Sequence, residues 1–93
     1  MVSFWKQRRQ VDKDYLKLIR EKPCCVCFGV AEPHHLVTRG AGGSDYHTVP
    51  LCREHHSELH RLGLLAFEGR YRLNLWRVAA FLLAEIKGER DGD

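Results

Sequence analysis

Apolar residues recur with helical spacing in three stretches of the chain. Val11, Tyr15, Leu18 and Ile19 fall at i, i+4, i+7 and i+8 among polar Asp12, Lys13, Asp14 and Lys17, which predicts a helix from about Asp12 to Glu21, stopped by Pro23. Arg53 to Leu62 contains no Gly or Pro and predicts a second helix terminated by Gly63. Leu75, Val78, Ala79, Leu82, Leu83 and Ile86 predict a third, with Asn74 as N-cap and Gly88 as its end, leaving Glu89 to Asp93 as a frayed tail. Trp76 and Arg77 on that helix are expected to serve packing and solvated surface.

Between the first two helices the pattern changes. His34 to Thr38 reads as a short strand, Arg39 to Asp45 as a glycine-rich loop, and Thr48 to Leu51 as a second strand that Pro50 confines to an edge or an end. The expected class is α+β: a hairpin and a helix at the centre, with the N- and C-terminal helices packed around them. Ninety-three residues are read as a single domain, 1–93, since so short a chain cannot divide its apolar residues between two cores.

Composition narrows the class. The chain is 44% hydrophobic and 29% charged, with mean hydropathy −0.38, too apolar for a disordered tail. Its longest apolar run, Val78 to Ala84, falls far short of the roughly 20 residues that span a bilayer, so no membrane partner and a cytoplasmic location are expected. The net charge is +3, and Lys6, Arg8 and Arg9 near the N-terminus equal that whole surplus.

Four cysteines and six histidines are the unusual feature, and all of them lie between residues 24 and 60. Cys24-x-x-Cys27 and Cys52-x-x-His55 are two pairs at the spacing of tetrahedral zinc with sulfur and nitrogen donors, a structural staple that a small domain needs. Phe28 and Val30 are expected to pack beneath the Cys24 knuckle, and Cys25 to be a small buried side chain outside the set. His55 and His56 point about 100° apart on a helix, whereas His56 and His60, four apart, share a face and can reach one ion. His34 and His35 alternate across a strand, so one can ligate while the other works beside it.

This ordered set, Cys24-x-x-Cys27, His34-His35, Gly42-Gly43-Ser44-Asp45 and Val49-Pro50-Leu51-Cys52-x-x-His55-His56-x-x-x-His60, resembles the HNH endonucleases of the His-Me finger superfamily. It covers about two fifths of the chain, in a motif core of 24–62, and the entry into it, Tyr15 to Cys27, also resembles small zinc-containing members from phages and prophages. The resemblance implies a ββα-metal core with a structural zinc knuckle at Cys24, Cys27, Cys52 and His55. It implies that His35 is the general base, and that His34, His56 and His60 hold a catalytic divalent ion. His47 stands where the family has its middle Asn, with the expected role of bracing the loop and orienting the base; His47 or a loop carbonyl is the expected acceptor for the second ring nitrogen of His35.

The implied activity is metal-dependent hydrolysis of DNA phosphodiester bonds, by nicking or nonspecific cleavage, leaving a 5′-phosphate and a 3′-hydroxyl. Three imidazoles are softer than a carboxylate cage, so Mn²⁺, Ni²⁺ or Co²⁺ is expected over Mg²⁺. Arg39, Arg53 and Arg61 are candidates for phosphate contacts. One site cuts one strand, so a double-strand break calls for a homodimer, a partner protein or two visits. The competing expectation is a zinc-knuckle module that binds nucleic acid or protein without catalysis, for which the second histidine cluster would have no use.

Overall fold

Asp12 begins the first helix, its carboxylate accepting a hydrogen bond from the Tyr15 amide at 2.9 Å. A cap of this type contributes about 1 kcal/mol. The helix, α1, runs Lys13–Arg20 and buries Tyr15, Leu16 and Ile19, while Val11, before the cap, is exposed. The buried face thus starts at Tyr15 and takes in Leu16, because Val11 precedes the helical turn that the apolar spacing assigned to it. The structure is a computed structural model and describes residues 9–91. Lys6 and Arg8 of the basic N-terminal stretch lie outside the described residues, as do Gly92 and Asp93 of the expected tail.

Two strands follow, β1 (Glu32–His35) and β2 (Thr48–Leu51), paired antiparallel with Pro33 opposite Pro50 and His34 opposite Val49. Neither proline has an N–H to give. Their pairing is possible because opposed residues alternate between hydrogen-bonded and non-bonded pairs, and the Leu36 amide donating to the His47 carbonyl at 3.0 Å puts the bonded pairs at even positions of β1. The first strand therefore lies earlier than the expected His34 to Thr38. Past Leu36 the chain turns away, because the Thr38 side chain caps a short 3₁₀ turn at Arg39–Ala41 and its carbonyl accepts from the Gly43 amide at 2.9 Å. That turn packs so closely that a Cβ on Gly43 would stand 1.7 Å from the Val37 carbonyl oxygen.

Helix α2 (Arg53–Leu62) follows β2 directly and ends at Gly63, whose φ of 85° suits a residue without a Cβ. A further helix, α3 (Leu64–Tyr71), has no apolar stripe to announce it in the sequence, since among its residues only Phe67 is buried. Helix α4 runs Leu75–Asp91, with the Asn74 side chain accepting from the Arg77 amide at 3.0 Å. It passes through Gly88 and takes Glu89 to Asp91 out of the expected tail. Ion pairs meet those last turns: Lys22, already paired with Glu85 at 2.8 Å, reaches Glu89 at 3.5 Å, and Arg90 reaches Asp12 at 3.1 Å.

The larger core cluster joins Cys24, Ala31, Val49, Leu51, Leu59, Phe67, Leu75 and Ala79; the smaller joins Tyr15 and Ile19 to Ile86. Helix α4 contributes to both, and so ties the hairpin and α2 to α1. Among the described residues the class is α+β, four α-helices around a two-stranded sheet. No described helix is long and apolar enough to cross a membrane.

Candidate metal centres

Cys24 and Cys27 stand on the turn that precedes β1, and Cys52 and His55 on the first turn of α2, with Cys52 as its N-cap. Their ligand atoms converge. Cys24 Sγ lies 3.8 Å and Cys52 Sγ 3.1 Å from His55 Nδ1, and Cys27 Sγ lies 3.7 Å from Cys52 Sγ. Donors bonded to one tetrahedral zinc stand roughly 3.3–3.8 Å apart; the Cys52–His55 pair is slightly closer than that, and all four ligand atoms lie within 4.8 Å of one another, near enough for a single ion. Burial opposes the Cys24 thiolate, yet hydrogen bonds from the backbone of Cys27, Cys52 and Val26 outweigh it and bring the thiol down to about 6, ready to ligate. Cys25 stays outside the tetrad, and burial pushes its thiol up to about 11.

Phe28 and Val30 do not pack beneath this knuckle: they are 77% and 93% exposed. The turn explains Phe28, whose φ of 66° is left-handed and whose amide donates to the Cys24 carbonyl at 2.8 Å as the knuckle closes. The place beneath is filled instead by Ala31, Val49, Leu51 and Leu59.

A second cluster joins His34 of β1 to His56 and His60 of α2, each offering one ring nitrogen. His34 Nδ1 and His56 Nε2 are 2.9 Å apart, close to the roughly 3.0–3.4 Å between neighbouring ligands of one ion at metal–nitrogen distances near 2.1 Å. Burial first, then the imidazoles of His56 and His60, push His34 down to about 4, which leaves its lone pair free at neutral pH. The other nitrogen of His56, Nδ1, lies 2.9 Å from Glu32 Oε1, the carboxylate support that metal-bound imidazoles commonly have. Glu32 was not foreseen. Its signal was the period of two in a strand, which puts Glu32 and His34 on one face, but the expected strand began only at His34.

His35 points to the other face of β1, where its Nε2 lies 2.8 Å from Asp45 Oδ1. Asp45, rather than His47 or a loop carbonyl, is therefore the partner of this ring. The His47 ring sits edge-on to Trp76, with centroids 5.2 Å apart, and His47 meets the loop through its backbone, its amide donating to the Ser44 carbonyl at 3.1 Å. Trp76 thus has a neighbour that sequence did not assign to it. Arg9 was missed as well; its Nη1 donates to Asp45 Oδ1 at 2.7 Å and to the Gly43 carbonyl at 3.0 Å. Burial opposes the Asp45 charge, but the hydrogen bonds from His35, the Asp12 amide and Arg9 outweigh it and hold the carboxyl down to about 2. Arg39 lies in the 3₁₀ turn and Arg53 and Arg61 on α2, all three exposed.

A family model described as "Protein of unknown function (DUF968)" matches residues 2–87. The curated "Uncharacterized protein YdfU" of Escherichia coli (strain K12) is 39% identical over 83 residues, which cover 83% of this chain and 24% of that protein. The chain thus spans about a quarter of the length of that relative. No solved structure matches this chain significantly.

Proposed function

The chain belongs to the DUF968 family, and we propose that it is a metal-dependent HNH-type endonuclease that hydrolyses DNA phosphodiester bonds. The observation that carries this reading is the adjacency of two unlike sites on one hairpin and helix: His34, His56 and His60 gathered on one side of β1, and His35 on the other with Asp45. A hairpin followed by a helix, with the imidazoles at those places, is the arrangement that a ββα-metal core requires.

The chemistry follows from the residues. A phosphodiester resists attack because its oxygens are already negative and its leaving alkoxide is poor. A divalent ion held by His34, His56 and His60 would supply positive charge where negative charge develops at the phosphate and the leaving oxygen. His35 does the proton work: with Nε2 given to Asp45, Nδ1 remains to accept the proton of an attacking water. General base catalysis of this kind is worth about 10²- to 10⁴-fold. Arg39, Arg53 and Arg61 are placed on exposed surface from which guanidinium groups reach backbone phosphates. The softness of three imidazoles favours Mn²⁺, Ni²⁺ or Co²⁺ over Mg²⁺, and the Cys24, Cys27, Cys52 and His55 site takes a structural zinc.

The test is a metal count joined to DNA binding. Zinc-loaded protein equilibrated with Mn²⁺ is expected to carry two ions per chain, and the His56→Ala variant zinc alone. Zinc alone in the wild type, together with DNA or protein binding, would make the chain a zinc-knuckle binding module instead.

A further inference from the structure

We propose that Asp45 is the positioning residue of His35, and that Arg9, from the segment before α1, locks the Asp45 carboxylate in place. The inference rests on His35 being the base and adds the groups that aim it. Asp45 is 1% exposed, and both oxygens of its carboxylate are engaged. Oδ1 takes His35 Nε2 at 2.8 Å and Arg9 Nη1 at 2.7 Å, while Oδ2 takes the Asp12 amide at 2.9 Å. An ionised carboxylate can only accept, so the ring proton of His35 sits on Nε2 and the lone pair on Nδ1. The bond fixes two things together, the tautomer and the rotation of the ring.

The rest of Asp45 is held as firmly. Its amide donates to the Gln10 carbonyl at 2.9 Å, and its own carbonyl accepts from the Thr48 hydroxyl at 2.9 Å. Ser44 Oγ donates to Gln10 Oε1 at 2.7 Å, so residues 9–12 run along loop 43–45 as a strap. Arg9 is the strap's strongest tie, since one guanidinium nitrogen reaches both the Gly43 carbonyl and Asp45 across more than thirty positions of sequence. A salt bridge that served folding alone would not have to share its carboxylate oxygen with an imidazole. The shared Oδ1 makes the strap part of the site.

The experiment measures the His35 tautomer by ¹⁵N-correlated NMR and DNA-nicking kinetics with Mn²⁺, on zinc-loaded 93-residue chains of wild type, Asp45→Ala, Arg9→Ala and Arg9→Lys. Wild-type His35 should show the proton on Nε2. Asp45→Ala should give mixed tautomers and lower kcat about 100-fold, with KM within about threefold. Arg9→Ala should lower kcat about tenfold, and Arg9→Lys should recover most of the loss. The proposal is overturned by a folded Asp45→Ala protein that keeps the His35 signature and its kcat, or by losses confined to KM. If Asp45→Ala does not fold, Arg9→Ala decides: an unchanged tautomer and kcat would reject the lock. Should the wild type cut no DNA, the NMR arm still judges the positioning, and the nuclease reading fails separately.

Discussion

His34 Nδ1 lies 2.9 Å from His56 Nε2, a meeting of β1 with α2 across 22 positions of sequence. That is hydrogen-bond distance for two imidazoles, and with His60 beside them the three ring nitrogens also lie close enough together to hold the divalent ion proposed above. We expect His56→Ala to lose Mn²⁺ binding and nicking while retaining zinc and a cooperative melt. Glu32→Gln, which removes the carboxylate behind His56, should weaken Mn²⁺ binding about 10- to 100-fold in calorimetric titration. Unaltered Mn²⁺ affinity in both would remove the second site from the account.

Chelation of the first site should unfold the chain. Structural zinc in small domains contributes about 10–16 kcal/mol of apparent free energy, comparable to a whole domain's stability. Cys24 and Cys52 pack with the larger core cluster, so loss of the ion loosens the knuckle, the hairpin and α2 together. Verified zinc removal that left far-UV circular dichroism and the melting temperature unchanged would contradict this.

Asp45 makes stability depend on pH in the acid range. Its folded-state carboxyl titrates near 2, below the 3.8 of an unperturbed Asp, so the unfolded chain takes up the proton first as pH falls. The contribution is fully present above about pH 4 and disappears as pH falls through 2; the shift corresponds to about 2 kcal/mol. The melting-temperature gap between wild type and Asp45→Asn should therefore narrow from pH 5 to pH 2.5. A gap that is constant over this range would show that the Asp45 charge does not stabilise the fold.

His47 and His35 should separate in kinetics. The His47 ring contacts Trp76 and the residue supports the loop through its backbone, which Ala preserves. His47→Ala is expected to lower kcat less than about tenfold, against a loss of 10²-fold or more for His35→Ala. Equal losses would restore to the His47 ring the role of the family's middle Asn.

Much of this architecture was legible because local rules decide it. The α2 boundaries followed from a run without Gly or Pro that ends at Gly63, β2 from its flanking loop, and the helix's share of each ligand set from spacings of three and four residues, while Cys24 and Cys27 followed from their own spacing and His34 from the family resemblance. What escaped notice depends on long-range contact. Asp45 read as a turn residue until folding brought it to His35, and Arg9 as part of a basic stretch until it met Asp45. Phe28 and Val30 were placed inward on hydrophobicity alone, against a knuckle whose left-handed turn carries Phe28 outward. Helix α4 outran Gly88 because Lys22 and Asp12, distant in sequence, supply ionic partners to its final turns. A single Gly costs a helix only about 1 kcal/mol, which such packing offsets.

The most direct test of the central claim is conversion of supercoiled plasmid to nicked circles with and without Mn²⁺, by wild type and by His35→Ala shown to be folded and zinc-loaded. Mn²⁺-dependent nicking by the wild type that the variant loses is the predicted result. A zinc-loaded wild type that fails to cut with any added divalent ion, or a variant that cuts as fast as the wild type, would contradict the account.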